Sequence, residues 1–275
     1  MTNLAFAAGL AYALWKIAHY RARRKMRGLF GPWPIGSVAP GAFDARLATE
    51  ALGPSMASEI RFVPSLGVAA SVSDLETWIL CNLARSARRV FEFGTASGKT
   101  AYLLAANAPP DAEIVTLTLA PDQAGSYRAG DGDDRGAREA ALNESTFRER
   151  FYYSGRAEAA KIVQLFGDSK SFDETPYAGT CDLVFIDGAH ARSYVESDTR
   201  KAIRMAKPGG AILWHDYRGP RAPIDVFRYL NELGRELPGM VHLAGTALVA
   251  WRKPAGGEQS SAGATVASET LLAAK

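Results

Sequence analysis

Cysteine is nearly absent: Cys81 and Cys181 stand alone, far apart, with no C-x-x-C spacing. That excludes a disulfide scaffold and a thiolate zinc site, and leaves buried thiols in a reducing compartment as the expectation. Histidine is scarce too, with 4 in the chain, so there is no histidine-rich metal tract. No apolar run reaches the roughly 20 residues of a spanning helix. The longest, residues 4–17, is interrupted by Lys16. Most of the chain also lacks a surplus of positive charge. Residues 1–28 carry Lys16, Arg21, Arg23, Arg24, Lys25 and Arg27 and no acid; against a net charge of +3 for the whole, the remainder is net −3. A slightly acidic body argues against a nucleic-acid-binding face.

What the chain does have is the composition of an ordinary globular protein, 47% apolar and 22% charged over 275 residues. Residues 4–17 should be helical. Their positive flank follows the apolar run instead of preceding it, unlike a secretory signal. The positive-inside rule keeps that flank, and the domain after it, cytoplasmic. Residues 1–28 are therefore read as a helix for attachment to the cytoplasmic face of a membrane, through residues 4–27, with packing on the domain or on a neighbouring subunit of a homo-oligomer as the plainer option. Residues 29–72 read as a linker and irregular cover, with a short helix near Asp44–Leu52, and the Ala-, Gly- and Ser-rich residues 254–275 as a disordered tail.

Between them, Ser73-Asp74-Leu75-Glu76 is a capping box opening a helix. A strand, Val90–Phe93, runs into a turn with Gly94 and Gly98 and then a helix former, Ala101–Ala106. Further strands are expected at Glu113–Leu119, Lys161–Phe166, Cys181–Ile186, Ala211–Trp214, Val241–Leu243 and Ala247–Trp251, with helices at Ser193–Met205 and Pro223–Leu237. This is an α/β doubly wound, Rossmann-like sheet of seven strands, mostly parallel with an antiparallel last strand and helices on both faces.

Three ligands compete for the glycine turn. A dinucleotide site wants G-x-G-x-x-G, and Gly94-Thr95-Ala96 lacks the second glycine. A P-loop wants four residues before Gly-Lys-Thr, whereas only Thr95, Ala96 and Ser97 precede Gly98-Lys99-Thr100. The third pattern, Glu92-x-Gly94-x-x-x-Gly98, resembles the first motif of class I S-adenosylmethionine (SAM) dependent methyltransferases. The order F-I-D-G-A-H (185–190), helix, K-P-G-G (207–210), strand, W-H-D-Y (214–217) resembles the type 24 family within the catechol O-methyltransferase-like group, over about residues 73–253.

That resemblance implies SAM as cofactor and O-methylation of a small-molecule or glycan-like acceptor. It places Glu92, Gly94, Thr95, Ser97 and Gly98 at the methionine part of SAM. Thr118, where an acid usually holds the ribose, departs from the pattern, and Asp122 is the next acid. Asp168 and Ser169, in Gly167-Asp168-Ser169, fall near the adenine, although a helix cap is the plainer role for them. Asp187 closes the cofactor set and, with His215 and Asp216, occupies the positions of a divalent-metal site, Mg or Mn. His215 departs by offering nitrogen. His190 stands where the family has a lysine base, so Asp187, His190 and His215 are the catalytic candidates. The competing readings are a P-loop-like ATPase using Lys99, Thr100 and Asp187, and a membrane-tethered module that keeps the fold without catalysis. Asp131–Gly136 has the look of a calcium loop, but position twelve is Leu142, so a solvated loop is expected. The aromatic stretch Phe147–Tyr153 is expected to pack on the sheet.

Overall fold

The computed structural model describes residues 35–68, 72–144, 150–219 and 224–255, with residues 10, 12 and 14–16. The chain divides into Met1–Pro34 and Ile35–Lys275. In the first unit the described residues are helical, and Lys16 Nζ lies 5.5 Å over the Tyr12 ring. The rest of the apolar run and its basic flank, residues 145–149 and residues 256–275 lie outside the described residues. No helix among the described residues is long and apolar enough to cross a membrane.

The second unit is built on one sheet. Its strands are β1 (Ser37–Val38), β2 (Arg89–Phe93), β3 (Glu113–Thr118), β4 (Ile162–Phe166), β5 (Cys181–Ile186), β6 (Ala206–Trp214), β7 (Val241–Leu243) and β8 (Val249–Arg252). They lie in the order β1-β7-β8-β6-β5-β2-β3-β4. The five strands β4-β3-β2-β5-β6 are mutually parallel, and β8 runs antiparallel between β6 and β7. The expected seven strands are thus corrected to eight among the described residues. The addition is β1, whose Ser37 and Val38 pair with His242 and Leu243. Two residues show no alternation to read. They are held because β7 offers them an edge of unpaired backbone groups.

Besides a single helical turn at Pro40–Phe43, the α-helices among the described residues are α1 (Asp74–Ala84), α2 (Lys99–Asn107), α3 (Arg135–Glu144), α4 (Arg192–Met205) and α5 (Ile224–Glu236). Near Asp44–Leu52 the helical turn is a 3-10 turn, Ala45–Leu47. The capping box at α1 is formed in full, with both reciprocal bonds present. Alternation along the strands places α1 and α2 on one face of the sheet and α4 on the other. Leu213 packs in a cluster with Ile79, Leu83, Leu103 and Leu104. Its neighbour Trp214 points the opposite way, donating from Nε1 to Thr199 Oγ1 on α4 at 2.8 Å.

Candidate active site

Because β2, β3, β4, β5 and β6 are parallel, their carboxyl ends share one edge, and the ladder carries the chain just past each strand. Gly94 N–H donates to Leu117 O, Gly167 N–H to Thr118 O, Asp187 N–H to Phe93 O and His215 N–H to Ile186 O, at 2.8–3.0 Å. Residues scattered over more than a hundred positions are thereby gathered along one crevice.

The turn after β2 explains its glycines differently from one another. Gly94 has φ +97, and a Cβ there would meet the Asp187 carbonyl oxygen at 2.1 Å. Its missing side chain lets β2 and the end of β5 close up. At Gly98, φ +74, a Cβ would meet Tyr153 at 2.7 Å and Phe151 at 3.0 Å, so an aromatic side chain fills the space. Phe151 and Tyr153 are stacked 5.3 Å apart there.

Glu92 does not reach the crevice. It is 1% exposed and lies in register with Thr116, which is in turn opposite Gln164. Thr116 Oγ1 donates to Glu92 Oε2 at 2.6 Å and lies 2.8 Å from Thr95 Oγ1, while Tyr153 OH donates to Gln164. A polar row beneath the turn therefore holds Glu92 and Thr95. Burial pushes the Glu92 carboxyl up to about 8, with Asp187 adding to the rise and Thr116 opposing it. An unfolded glutamate titrates near 4.3, so between there and about pH 8 the folded chain keeps a proton that the unfolded chain loses. Stability from this group therefore falls as pH rises through that window. Glu92→Gln removes the titration and is expected to gain on wild type between pH 5 and 8, by up to about 1.4 kcal/mol per pH unit in urea unfolding.

A cleft of about 600 Å³, open to solvent, lies over the turn. Gly94, Thr118, Asp168, Ser169 and Asp187 of the expected cofactor residues line it, and so does Ala96, strained at φ +42. Thr95, Ser97 and Gly98 sit beside it in the buried turn and do not line it; Asp122 is exposed on a 3-10 turn. Asp168 is held on both oxygens, by Lys170 N–H at 2.9 Å and by the Tyr194 hydroxyl at 3.0 Å. Tyr194 stacks on Tyr127 with ring centroids 4.5 Å apart.

A smaller cleft adjoins the first and shares Asp187, Gly188 and Ala189 with it. Here four predicted residues meet. His215 Nδ1 lies 2.9 Å from Asp187 Oδ1 and 3.4 Å from Asp216 Oδ1, and Nε2 is 3.5 Å from Glu76 Oε2. His190 Nε2 contacts Asp216 Oδ2 at 2.7 Å. Burial alone would depress His215, but Asp187, Asp216 and Glu76 override it and raise its pKa well above the usual value. Burial would raise Asp216, yet the two histidines hold it far below the usual carboxylate range. Asp216 also has a strained backbone, φ +63, and a further ion pair with Arg218 at 2.7 Å. Asp187, His215 and Asp216 each offer an atom within 4.8 Å of the others, an arrangement that could hold a metal ion.

Two contributors lie outside the predicted set. Glu76 uses the capping box twice over, since its other oxygen also accepts from Ala247 N–H at 2.6 Å. Asp198 on α4 lines the larger cleft, buried. The capping box was a visible signal for Glu76; an acid inside an amphipathic helix gives none. The P-loop alternative finds no support: Lys99 is buried and donates to Ser65 Oγ at 2.5 Å, and it does not line the cleft. The acids of the calcium-like stretch serve as caps, Asp133 accepting from Gly130 and Ser193 and Asp134 from Gly136.

A mostly parallel sheet with one antiparallel strand inserted beside β6, a glycine turn after its central strand and a cleft across the strand ends make a Rossmann-like methyltransferase fold. Residues 91–217 match the type 24 family described as "Methyltransferase domain". No curated protein matches the sequence significantly. Similar solved structures include the O-methyltransferase TomG from Streptomyces achromogenes in complex with SAM, at 20% identity over 72% of this chain and 92% of that one, TM-score 0.45. The SAH-bound methyltransferase PaMTH1 of Podospora anserina is 19% identical over 66% and 79%, TM-score 0.47. An O-methyltransferase from Bacillus cereus with SAH is 18% identical over 67% and 84%, TM-score 0.43. These likenesses are too distant to bear on activity.

Proposed function

We propose that this protein transfers the methyl group of SAM to a hydroxyl of a small-molecule acceptor. The observation that carries the reading is the meeting of two clefts at Asp187–Ala189, one over the glycine turn and one ringed by His190, His215 and Asp216. In-line displacement at a sulfonium needs the acceptor oxygen, the methyl carbon and the sulfur aligned, which a cofactor in the first cleft and an acceptor in the second would satisfy. His190 is the base in this reading. Asp216 holds its ring through Nε2, and an imidazole suits proton removal near neutral pH.

The donor set Asp187, His215 and Asp216 fits a divalent ion. With one nitrogen among two carboxylates it suits manganese better than magnesium. His215 must shed its raised proton to take part, so proton and ion compete for the ring. When bound, such an ion would polarise the acceptor oxygen and ease loss of its proton. Residues 4–27 would bring the enzyme to an anionic membrane surface.

Thermal unfolding with SAM, S-adenosylhomocysteine (SAH) and ATP-Mg tests the cofactor. A ligand at 100 times its Kd stabilises by about 2.7 kcal/mol, a rise of several degrees for a domain of this size. SAM and SAH should give it and ATP should not; a response to ATP alone would overturn the reading.

A further inference from the structure

Ala96 stands in the wall of the larger cleft with φ +42. A residue bearing a Cβ keeps such a left-handed conformation only when its surroundings over-determine it. Here the constraint comes from outside the turn. Both chain neighbours of Ala96 are tied down, and both ties lead to the aromatic segment 151–153.

On one side, Thr95 Oγ1 accepts from Gln164 Nε2 at 3.2 Å and lies 2.8 Å from Thr116 Oγ1. The Gln164 amide is itself fixed: Nε2 also donates to Leu165 O at 2.8 Å, and Oε1 accepts from the Tyr153 hydroxyl at 2.5 Å. On the other side, Ser97 O accepts from Tyr152 N–H at 2.9 Å. The Tyr153 ring, stacked on Phe151, covers Gly98 immediately after it. Tyr153 therefore reaches both flanks of Ala96, one with its ring and one with its hydroxyl. It is buried and lines neither cleft, so its effect on a ligand there passes through the turn.

We propose that Tyr153 is a positioning residue for the cofactor: through Gln164 and Thr95 it holds Ala96 in the strained conformation that shapes the wall of the larger cleft. The assignment rests on the methyltransferase reading and adds to it a residue that never touches the ligand.

The test is titration calorimetry with SAH on wild type, Tyr153→Phe, Ala96→Gly and the double variant, at a temperature well below every melting point. Tyr153→Phe keeps the ring over Gly98 and loses the hydroxyl, and SAH should bind about fivefold more weakly, or worse, the usual worth of one hydrogen bond. Glycine takes a positive φ without strain, so Ala96→Gly alone should stay within about twofold of the wild-type Kd. In the Tyr153→Phe background it should bring Kd back to within about twofold, because the turn no longer needs the brace. Were Tyr153 only part of the core, Ala96→Gly would restore nothing. Gln164→Met cuts the same link with the ring in place and should show the same loss and the same rescue; it decides alone if Tyr153→Phe does not fold. An unchanged Kd, or a loss that Ala96→Gly does not restore, overturns the assignment of Tyr153 and leaves the methyltransferase reading standing. Wild type that does not bind SAH overturns the methyltransferase reading, and the assignment with it.

Discussion

Gly94→Ala is expected to destabilise the domain by about 4 kcal/mol or more and to abolish SAH binding. Two effects act together. At φ +97 a side chain is strained whatever surrounds it, and here the new Cβ falls 2.1 Å from one backbone atom and 2.6 and 2.8 Å from two others, at Asp187 and Gly188. A rotamer change cannot relieve a clash with backbone; β2 must separate from the end of β5. That movement opens the bond from Asp187 N–H to Phe93 O and displaces Asp187, which both clefts share. For a domain of this size the loss is a fall of about 10 °C or more in Tm. Gly125→Ala is the control, because a Cβ there meets nothing within 4 Å; it should melt within about a degree of wild type. Similar melting temperatures for the two variants would show that the tight crossing does not matter.

The second large effect is on chemistry and not on binding. His190→Ala should lower kcat by about 10²–10⁴-fold, the usual contribution of a positioned base, on whichever hydroxyl acceptor the wild type methylates. SAH affinity should change little, because His190 lines the smaller cleft and not the larger one. A matching loss of SAH affinity would mean that His190 supports the cofactor site and is no base.

The strand ends were readable because apolar runs stop at polar groups there. Val184-Phe185-Ile186 yields to Asp187, and Leu213-Trp214 to His215-Asp216, and parallel pairing then fixes that these groups meet. Spacing gave neighbourhood but not partners. His190 follows Asp187 by three residues in the chain, yet its partner is Asp216. Glu92 sits in the motif of a cofactor ligand, yet its register with Thr116 keeps it under the turn. Asp198 and Tyr194 share a helix whose other face is charged, and only the packing of that helix on the sheet reveals which polar groups turn inward. β1 escaped notice for another reason: two residues carry no period, and what holds them lies at the far end of the chain.

That last pairing sets an order of assembly on the ribosome. Ser37 bonds across to His242, and Glu76 to Ala247, separations of 205 and 171 residues. At about 5–20 residues per second, β1 emerges and then waits roughly 10–40 s for its partner to be made. Meanwhile the capping glutamate of α1 is formed but lacks the backbone group that seats it beside His215. The nascent chain can thus lay down β2 to β6 in sequence, but the acid and histidine cluster closes only when the final hairpin arrives.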